Sequence, residues 1–517
     1  MSVAATAAPV SANPGADLKR PLIVLSIMTA TVMNSLDTTI ANVALPHIQG
    51  SVSASADQIT WVLTSYIVAS AIMTPMTGWL AGRFGRKRVF LISIAGFTFA
   101  SALCGIAGSL VEIVGFRLFQ GVCGAALIPL SQAVLLDIYP RERHGQAMAI
   151  WGMGAMLGPI LGPALGGFLT DNYSWRWVFY INLPFGILAF LGILFFVAES
   201  RNANAPRLDF LGFLALALGI GALQMMLDRG QQKDWFGSTE IWVEAALAAL
   251  GFYWTIVQTA TAKQPFISRA LLKDRNFVVA TIFGFFIGIL LFATLSLLPP
   301  MLEDLMNYPV VTTGLVTAPR GVGTFVSMFI VGRLIGRVDT RWILLTGLCI
   351  TAFSLSRMSQ VNLQMGPELV VTSGILQGMG IGLIFVPLSA LAFASLGSNL
   401  RAEAAGIFTL VRNIGSSVGI SIMEALLVQN TATVHADLIR HVRPDNPNLI
   451  AAGQLGAFAT PHGLAVMNAE VGQQASMVAY ADDFRLMMLV ALAAIPLLLL
   501  MKAPKSRPAA GEVHAVE

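Results

Sequence analysis

What most limits the folds open to this chain is a succession of apolar runs, each near the roughly 20 residues that one helix needs to cross a bilayer. Of its 517 residues, 56% are hydrophobic and 11% charged, against about 25% charged in soluble domains. Runs of this length satisfy their backbone groups internally in hydrocarbon only as helices. They place fourteen spans, at 21–45, 58–80, 88–108, 110–136, 146–170, 176–198, 208–227, 240–260, 276–299, 311–333, 341–360, 368–396, 403–428 and 484–502. The fold class is therefore an all-α membrane protein with fourteen transmembrane helices.

The short connections carry the charge. Arg83, Arg86, Lys87 and Arg88 crowd one loop and Lys263, Arg269, Lys273 and Arg275 another. Loops of the opposite parity hold Asp57, Glu112, Asp171, Glu303 and Asp304. Basic loops stay cytoplasmic, which puts both termini inside. The net charge of +4 is thus spent on topology and gives no sign of a nucleic-acid partner. Residues 1–20 read as a disordered cytoplasmic start without the basic n-region of a signal peptide, and 504–517 as a cytoplasmic tail. Cys104, Cys123 and Cys349 sit singly within apolar runs, and His435 and His441 are wrongly spaced for one helical face. No metal site or phosphate-binding loop is indicated.

The chain repeats itself. "QGVCGAALIPLS" (120–131) matches "QGMGIGLIFVPLS" (377–389) with one insertion, and "GWLAGRFGRKR" (78–88) matches "GRLIGRVDTRW" (332–342). An offset near 255 residues that spans eight helices means two six-helix bundles, 21–200 and 264–503, with two linker helices inserted at 201–263. Duplicated bundles around a midplane site are a transporter architecture. One stretch breaks the pattern of short connections: 429–483, a long polar extracytoplasmic loop.

Charge inside a span costs about 2.5–3.5 kcal/mol on insertion scales and marks a path or a pair. Asp37 in the first span and Arg117 in the fourth are the leading candidates, with Asn34 and Gln120 close by in sequence. Arg320 and Arg412 lie in the tenth and thirteenth spans, and Glu424 nearer an interface. The repeat sets Gly374 opposite Arg117 and an apolar stretch near 291 opposite Asp37, so this charge pair is not required to fold both halves. Desolvation disfavours a charged carboxylate and a nearby arginine favours it. Asp37 is therefore expected to exchange protons, with Arg117 as switchable counter-charge. In the fifth span, Gly154, Gly158, Gly162 and Gly166 recur every four residues, with Pro159 and Pro163 beside them and Gly167 following. The stripe permits close packing and the prolines a bend.

On these motifs the chain resembles the fourteen-helix drug:proton antiporters of the major facilitator superfamily. "LDTTIANVALP" is similar to the family's first-helix motif, and "RLFQGVCGAA" to that of helix four. "GPILGPALGG" is similar to the antiporter motif of helix five, and Gly78, Arg83, Gly85, Arg86 and Lys87 to the cytoplasmic loop motif. "WRWVFYINLP" (175–184), "LQMMLDRGQQKDWF" (223–236) and "QASMVAYADDFRLMML" (474–489) also fit. The chain departs from the loop motif at Gly82, where the family has an aspartate, which leaves the basic cluster without its local partner.

The resemblance implies the major facilitator fold and export of hydrophobic or amphiphilic compounds against proton entry at a bacterial inner membrane. Protons would be the coupling ion and no cofactor is needed. Asp37 and Arg117 would couple protons, while Asn34, Gln120, Arg320 and Arg412 would line the substrate cavity. The helix-five stripe would seal it. The 429–483 loop would meet a periplasmic membrane-fusion adaptor leading to an outer-membrane channel. Two alternatives remain at this stage: an exporter of one endogenous amphiphile such as a fatty acid, lipid or siderophore, and a non-transporting scaffold or sensor.

Overall fold

The computed structural model describes residues 14–200, 207–397, 400–446, 458 and 460–501, and the expected tail at 504–517 lies outside them. Among the described residues there is no strand, and twelve helices are long and apolar enough to cross a membrane. In chain order the rods are α1 (Pro14–Val52), α2 (Trp61–Met73 continued by Met76–Phe84), α3 (Arg86–Ile106), α4 (Leu110–Ile138) and α5 (His144–Asn172). Then come α6 (Trp177–Phe196), α7 (Phe210–Arg229), α8 (Thr239–Thr261), α9 (Arg275–Leu305) and α10 (Val310–Leu334). The chain ends in α11 (Thr340–Met358), α12 (Pro367–Ala394), α13 (Arg401–Ile439) and α14 (Pro461–Leu500). The two rods outside the twelve are α2, broken before Pro75, and α11, which carries Arg341 and Arg357 in its end turns.

Burial runs opposite to a soluble protein. On α3, Ile92, Phe99 and Ile106 are exposed seven residues apart, a lipid-facing stripe, while Asn34 and Asp37 of α1 and Arg117 and Gln120 of α4 are buried. α5 and α10 lie antiparallel along their whole length. Gly145 meets Ile335, Gly152 meets Met328, Ile160 meets Gly321, Ala164 meets Gly314, and Gly167 meets Val310. α7 wedges between α2 and α13: Ser417 donates to Gln224 Oε1 at 3.0 Å, Ser421 donates to the Leu227 carbonyl at 2.6 Å, and Thr64 donates to Asp228. α8 packs on α7 where Gly251 meets Gly219, and its Trp242, Tyr253 and Trp254 face outward.

Two expectations need correction. The first helix starts at Pro14 rather than at 21. The 429–483 stretch is mostly helix, not loop: α13 continues to Ile439 and α14 begins at Pro461. Hydropathy sees only the part of a helix that lies in hydrocarbon. Beyond it α13 meets no glycine or proline until Pro444, and α14 starts with a Thr460 cap that accepts from the Gly463 N–H at 3.0 Å, followed by Pro461 in the first turn, a strong start signal. At 39 residues and 1.5 Å per residue, α13 is about 58 Å long, well beyond a hydrocarbon core of about 30 Å.

Candidate functional site

Asp37 is fully buried, and five helices converge on it. Arg117 of α4 donates from Nη1 to Oδ2 at 2.7 Å. Gln120, one turn on, donates to Oδ1 at 3.0 Å, and Asn182 of α6 donates to the same oxygen at 2.8 Å. The donors are themselves held. Arg117 also reaches Gln120 Oε1 at 2.8 Å and the Val62 carbonyl of α2 at 3.2 Å, and its guanidinium lies 4.4 Å from the Tyr66 ring centre. Asn182 donates to Ser101 of α3 at 3.0 Å, and Ser101 to the Phe179 carbonyl at 2.9 Å. Asn34 donates to the Tyr66 hydroxyl at 3.1 Å. Three N–H donors thus use the carboxyl group as an acceptor, two on Oδ1 and one on Oδ2, which leaves a single acceptor place, on Oδ2 beside Arg117.

Sequence reasoning placed Asp37 and Arg117 together and the structure joins them. It set Asn34 and Gln120 in a substrate cavity, whereas Gln120 is a direct Asp37 ligand and Asn34 supports the ring beneath Arg117. Asn182, Ser101 and Tyr66 were missed. A signal existed for Asn182, the one amide in the 176–198 run.

The repeat is sharper in space than in sequence. Gln377 of α12 donates to Thr294 of α9 at 2.9 Å. Gln377 stands 257 residues after Gln120, and Thr294 the same distance after Asp37. The counterpart of Asp37 is thus a buried hydroxyl, not the apolar stretch near 291. The second half keeps the glutamine and omits the acid.

The helix-five stripe closes on α1. A Cβ at Gly158 would lie 2.3 Å from the Ser35 backbone, and one at Gly162 2.1 Å from Thr39 Oγ1. Gly154 and Gly166 face Met28 and Ile40, whereas Gly167 looks to α10. Pro159 has no N–H to offer the Ala155 carbonyl, and Ser35 fills that place, donating at 2.6 Å, as Thr39 does to the Gly158 carbonyl at 3.0 Å. Pro163 likewise withholds a donor. Ser35 and Thr39 turn one face of α1 to α5. Asp37, two residues from each, faces the opposite way.

Arg320 and Arg412 are buried or half-buried in the second half, and neither has an acidic partner among the described residues. Arg320 donates to the Leu291 carbonyl at 3.3 Å and has Nη1 unpaired; Arg412 lies 5.8 Å from the Phe385 ring centre with Nε unpaired. Phe385 stacks on Trp151 of α5 at 5.7 Å, and Arg320 shares a small cavity, about 40 Å³, with Pro159. Both arginines therefore stand at the seam between the halves.

The basic loop motif is not without partners. Asp137, at the end of α4, takes Arg86 on one oxygen and Arg401 of α13 on the other, the latter at 2.8 Å, which ties the halves together at this end. Glu199 accepts from the Lys87 and Arg88 backbone N–H groups at 3.1 and 3.2 Å and so caps α3 from a distance. Gly85 needs its positive φ of 98°, and a side chain there would strike that carboxylate. Gly78 lets α2 touch the Glu403 backbone of α13, Lys87 reaches the Leu194 carbonyl at 2.7 Å, and Arg83 is exposed. Asp137 and Glu199 thus supply acidic partners to the cluster that has glycine at position 82.

Comparison with known proteins identifies the family and the fold. The model of the Major Facilitator Superfamily matches residues 27–420. The chain is 36% identical to the multidrug export protein EmrB of Haemophilus influenzae, over 82% of this chain and 84% of that one. It is 34% identical to the fatty acid resistance protein FarB of Neisseria gonorrhoeae, over 93% and 96% respectively. The crystal structure of the human organic anion transporter MFSD10 superposes with a TM-score of 0.59 at 15% identity, covering 91% of this chain and 99% of that one.

Proposed function

Because the chain belongs to the major facilitator superfamily, we propose that it is a multidrug exporter driven by proton entry, working by alternating access with both termini in the cytoplasm. The observation that carries this reading is the Asp37 site. A carboxyl group held dry by Arg117, Gln120 and Asn182 can take a proton only when the helices around it part. The ionic tie Arg86–Asp137–Arg401 lies at the arginine-rich, cytoplasmic end, so the conformation is the one closed to the cytoplasm. Rocking that opens this end shears α1 against α4, loosens Arg117 from Asp37, and lets protonation and release alternate. Because α5 grips α1 through Ser35 and Thr39, motion at the α5–α10 seam is passed to the helix that carries Asp37. All fourteen rods would cross the membrane, and the outer extensions of α13 and α14 would meet the periplasmic adaptor.

The name of the relative EmrB, a multidrug export protein, supports export of drugs, and that of FarB, a fatty acid resistance protein, keeps a fatty-acid exporter as the second reading. Purified protein in liposomes under an imposed pH gradient tests the proposal, with dye movement and lumenal pH followed together. Dye should move outward only as protons move in, and Asp37→Asn should stop gradient-driven movement. Undiminished gradient-driven export by Asp37→Asn would overturn the coupling role, and no flux of any amphiphile would favour the scaffold reading.

A further inference from the structure

Between α13 and α14 lies a second cavity, an open groove of about 420 Å³, lined by Leu427, Val428, Thr431, Ala432 and His435 on one helix and by Ser476 and Tyr480 on the other. That volume falls within the range of small-molecule sites. Its position is unusual. Arg401 anchors the inner end of α13 through Asp137, and Thr431 is 30 residues further on, about 45 Å at 1.5 Å per residue. The cavity therefore opens at the level of the outer headgroups or beyond them. There its apolar lining faces water unless something fills it.

Its polar lining points to an occupant. Hydroxyls in helices commonly bond back to the carbonyl four residues earlier, as nearby Thr433 does to Gln429 at 2.9 Å. Among the described residues Thr431, Ser476 and Tyr480 have no hydrogen-bond partner, although Tyr480 is only 6% exposed. Three hydroxyls from two helices thus present free donors to one apolar chamber. Its outer end is tied by His435 Nε2 and Asn468 Oδ1 at 3.1 Å, and Glu424 is held nearby by Ser296 at 3.0 Å. Tyr480 lies in the field of Asp304, Asp483 and Glu424, which opposes an anionic occupant.

We propose that this chamber binds an uncharged amphiphile whose polar part accepts hydrogen bonds, its apolar body lying on Leu427, Val428 and Ala432. Two sources share that chemistry: cargo leaving the exporter and the ester region of a bilayer lipid. Naming the occupant as cargo rests on the export reading above; the binding itself does not.

The test is titration of prodan, a fluorescent uncharged ketone, into the full-length protein in phosphatidylcholine nanodiscs, with empty nanodiscs subtracted. Wild type should show saturable binding. Ala432→Phe, which fills the chamber, should abolish it, and Tyr480→Phe should weaken it about tenfold, one hydrogen bond's worth. Laurate should compete at least about tenfold less well than dodecanamide, since like charge opposes it. Asp37→Asn should bind prodan as wild type does, so loss of coupling and loss of this site read out separately. Native mass spectrometry identifies the source: a phospholipid retained by wild type and lost in Ala432→Phe assigns the chamber to lipid, and its absence assigns it to cargo. Unchanged prodan binding in Ala432→Phe of wild-type thermal stability, or laurate competing as well as the amide, would overturn the proposal.

Discussion

Removing the charges at the buried site one at a time and then together tests its electrostatics. In Arg117→Gln, Asp37 keeps Gln120 and Asn182 but loses its counter-charge while fully buried. Breaking a buried pair by removing one partner costs about 3–5 kcal/mol, and here the upper part of that range applies, because two neutral amides are a poor substitute for a cation. In Asp37→Asn the new amide faces the guanidinium donor to donor, yet Arg117 keeps Gln120 Oε1, the Val62 carbonyl and the Tyr66 ring. The loss should fall at the lower end, about 3 kcal/mol. The double variant leaves no unpaired charge and should be at least as stable as Arg117→Gln, so the two losses do not add. Unfolding in detergent, followed by a thiol-reactive dye at a fixed scan rate, gives the order of midpoints. Cys104 is a suitable reporter, fully buried and 3.8 Å from Gln120 Oε1. A double variant that falls by the sum of the single losses would refute the pairing argument.

Other expectations follow from single contacts. Gly158→Ala puts a methyl 2.3 Å from the Ser35 backbone and should lower the unfolding midpoint by the equivalent of about 1–3 kcal/mol, whereas Gly167→Ala, with its nearest atom at 3.8 Å, should be neutral in the same assay. Asp137→Ala frees Arg86 and Arg401 from their shared acid, so a cysteine at Ala81, 1% exposed, should react faster with an impermeant thiol reagent in inside-out vesicles. Asp483 is buried with both carboxyl oxygens unpaired. Asp483→Leu should therefore raise the midpoint, by up to about 1–3 kcal/mol equivalent, and a lower midpoint would show that the acid has a stabilising role.

How much of this was legible in the sequence depends on whether each feature is local. The spans and the loop motif are local, and so is the glycine stripe, whose four-residue period already states that one face of α5 must meet a backbone. Asp37 and Arg117 stood out because charge in an apolar run is costly. Asn182 carries no charge penalty and sat unnoticed in a run otherwise judged by its hydrophobicity. Asp137 lay one residue beyond a span, where an acid carries no insertion cost to draw notice; only folding shows it between Arg86 and Arg401, 51 and 264 residues away in sequence. The outer halves of α13 and α14 were hidden because hydropathy falls outside the membrane while helix propensity does not.

The two halves now differ in a way that bears on what is carried. In the first, Gln120 meets an acid that balances Arg117; in the second, Gln377 meets Thr294, and Arg320 and Arg412 stand at the seam without an acid. Duplication conserved the glutamine contact and left the charge balance unequal. The unpaired N–H groups of the two arginines and the free hydroxyls of Thr431, Ser476 and Tyr480 have one requirement in common, an acceptor. A cation meets repulsion at the arginines and an anion meets it near Glu424, Asp304 and Asp483. An uncharged amphiphile with carbonyl or ether oxygens suits both places without a change of protonation. Among substrates matched for hydrophobicity, transport should therefore favour uncharged acceptor-bearing compounds over fatty-acid anions, and Arg320→Leu with Arg412→Leu, which removes the cations that attract an anion, should widen that preference.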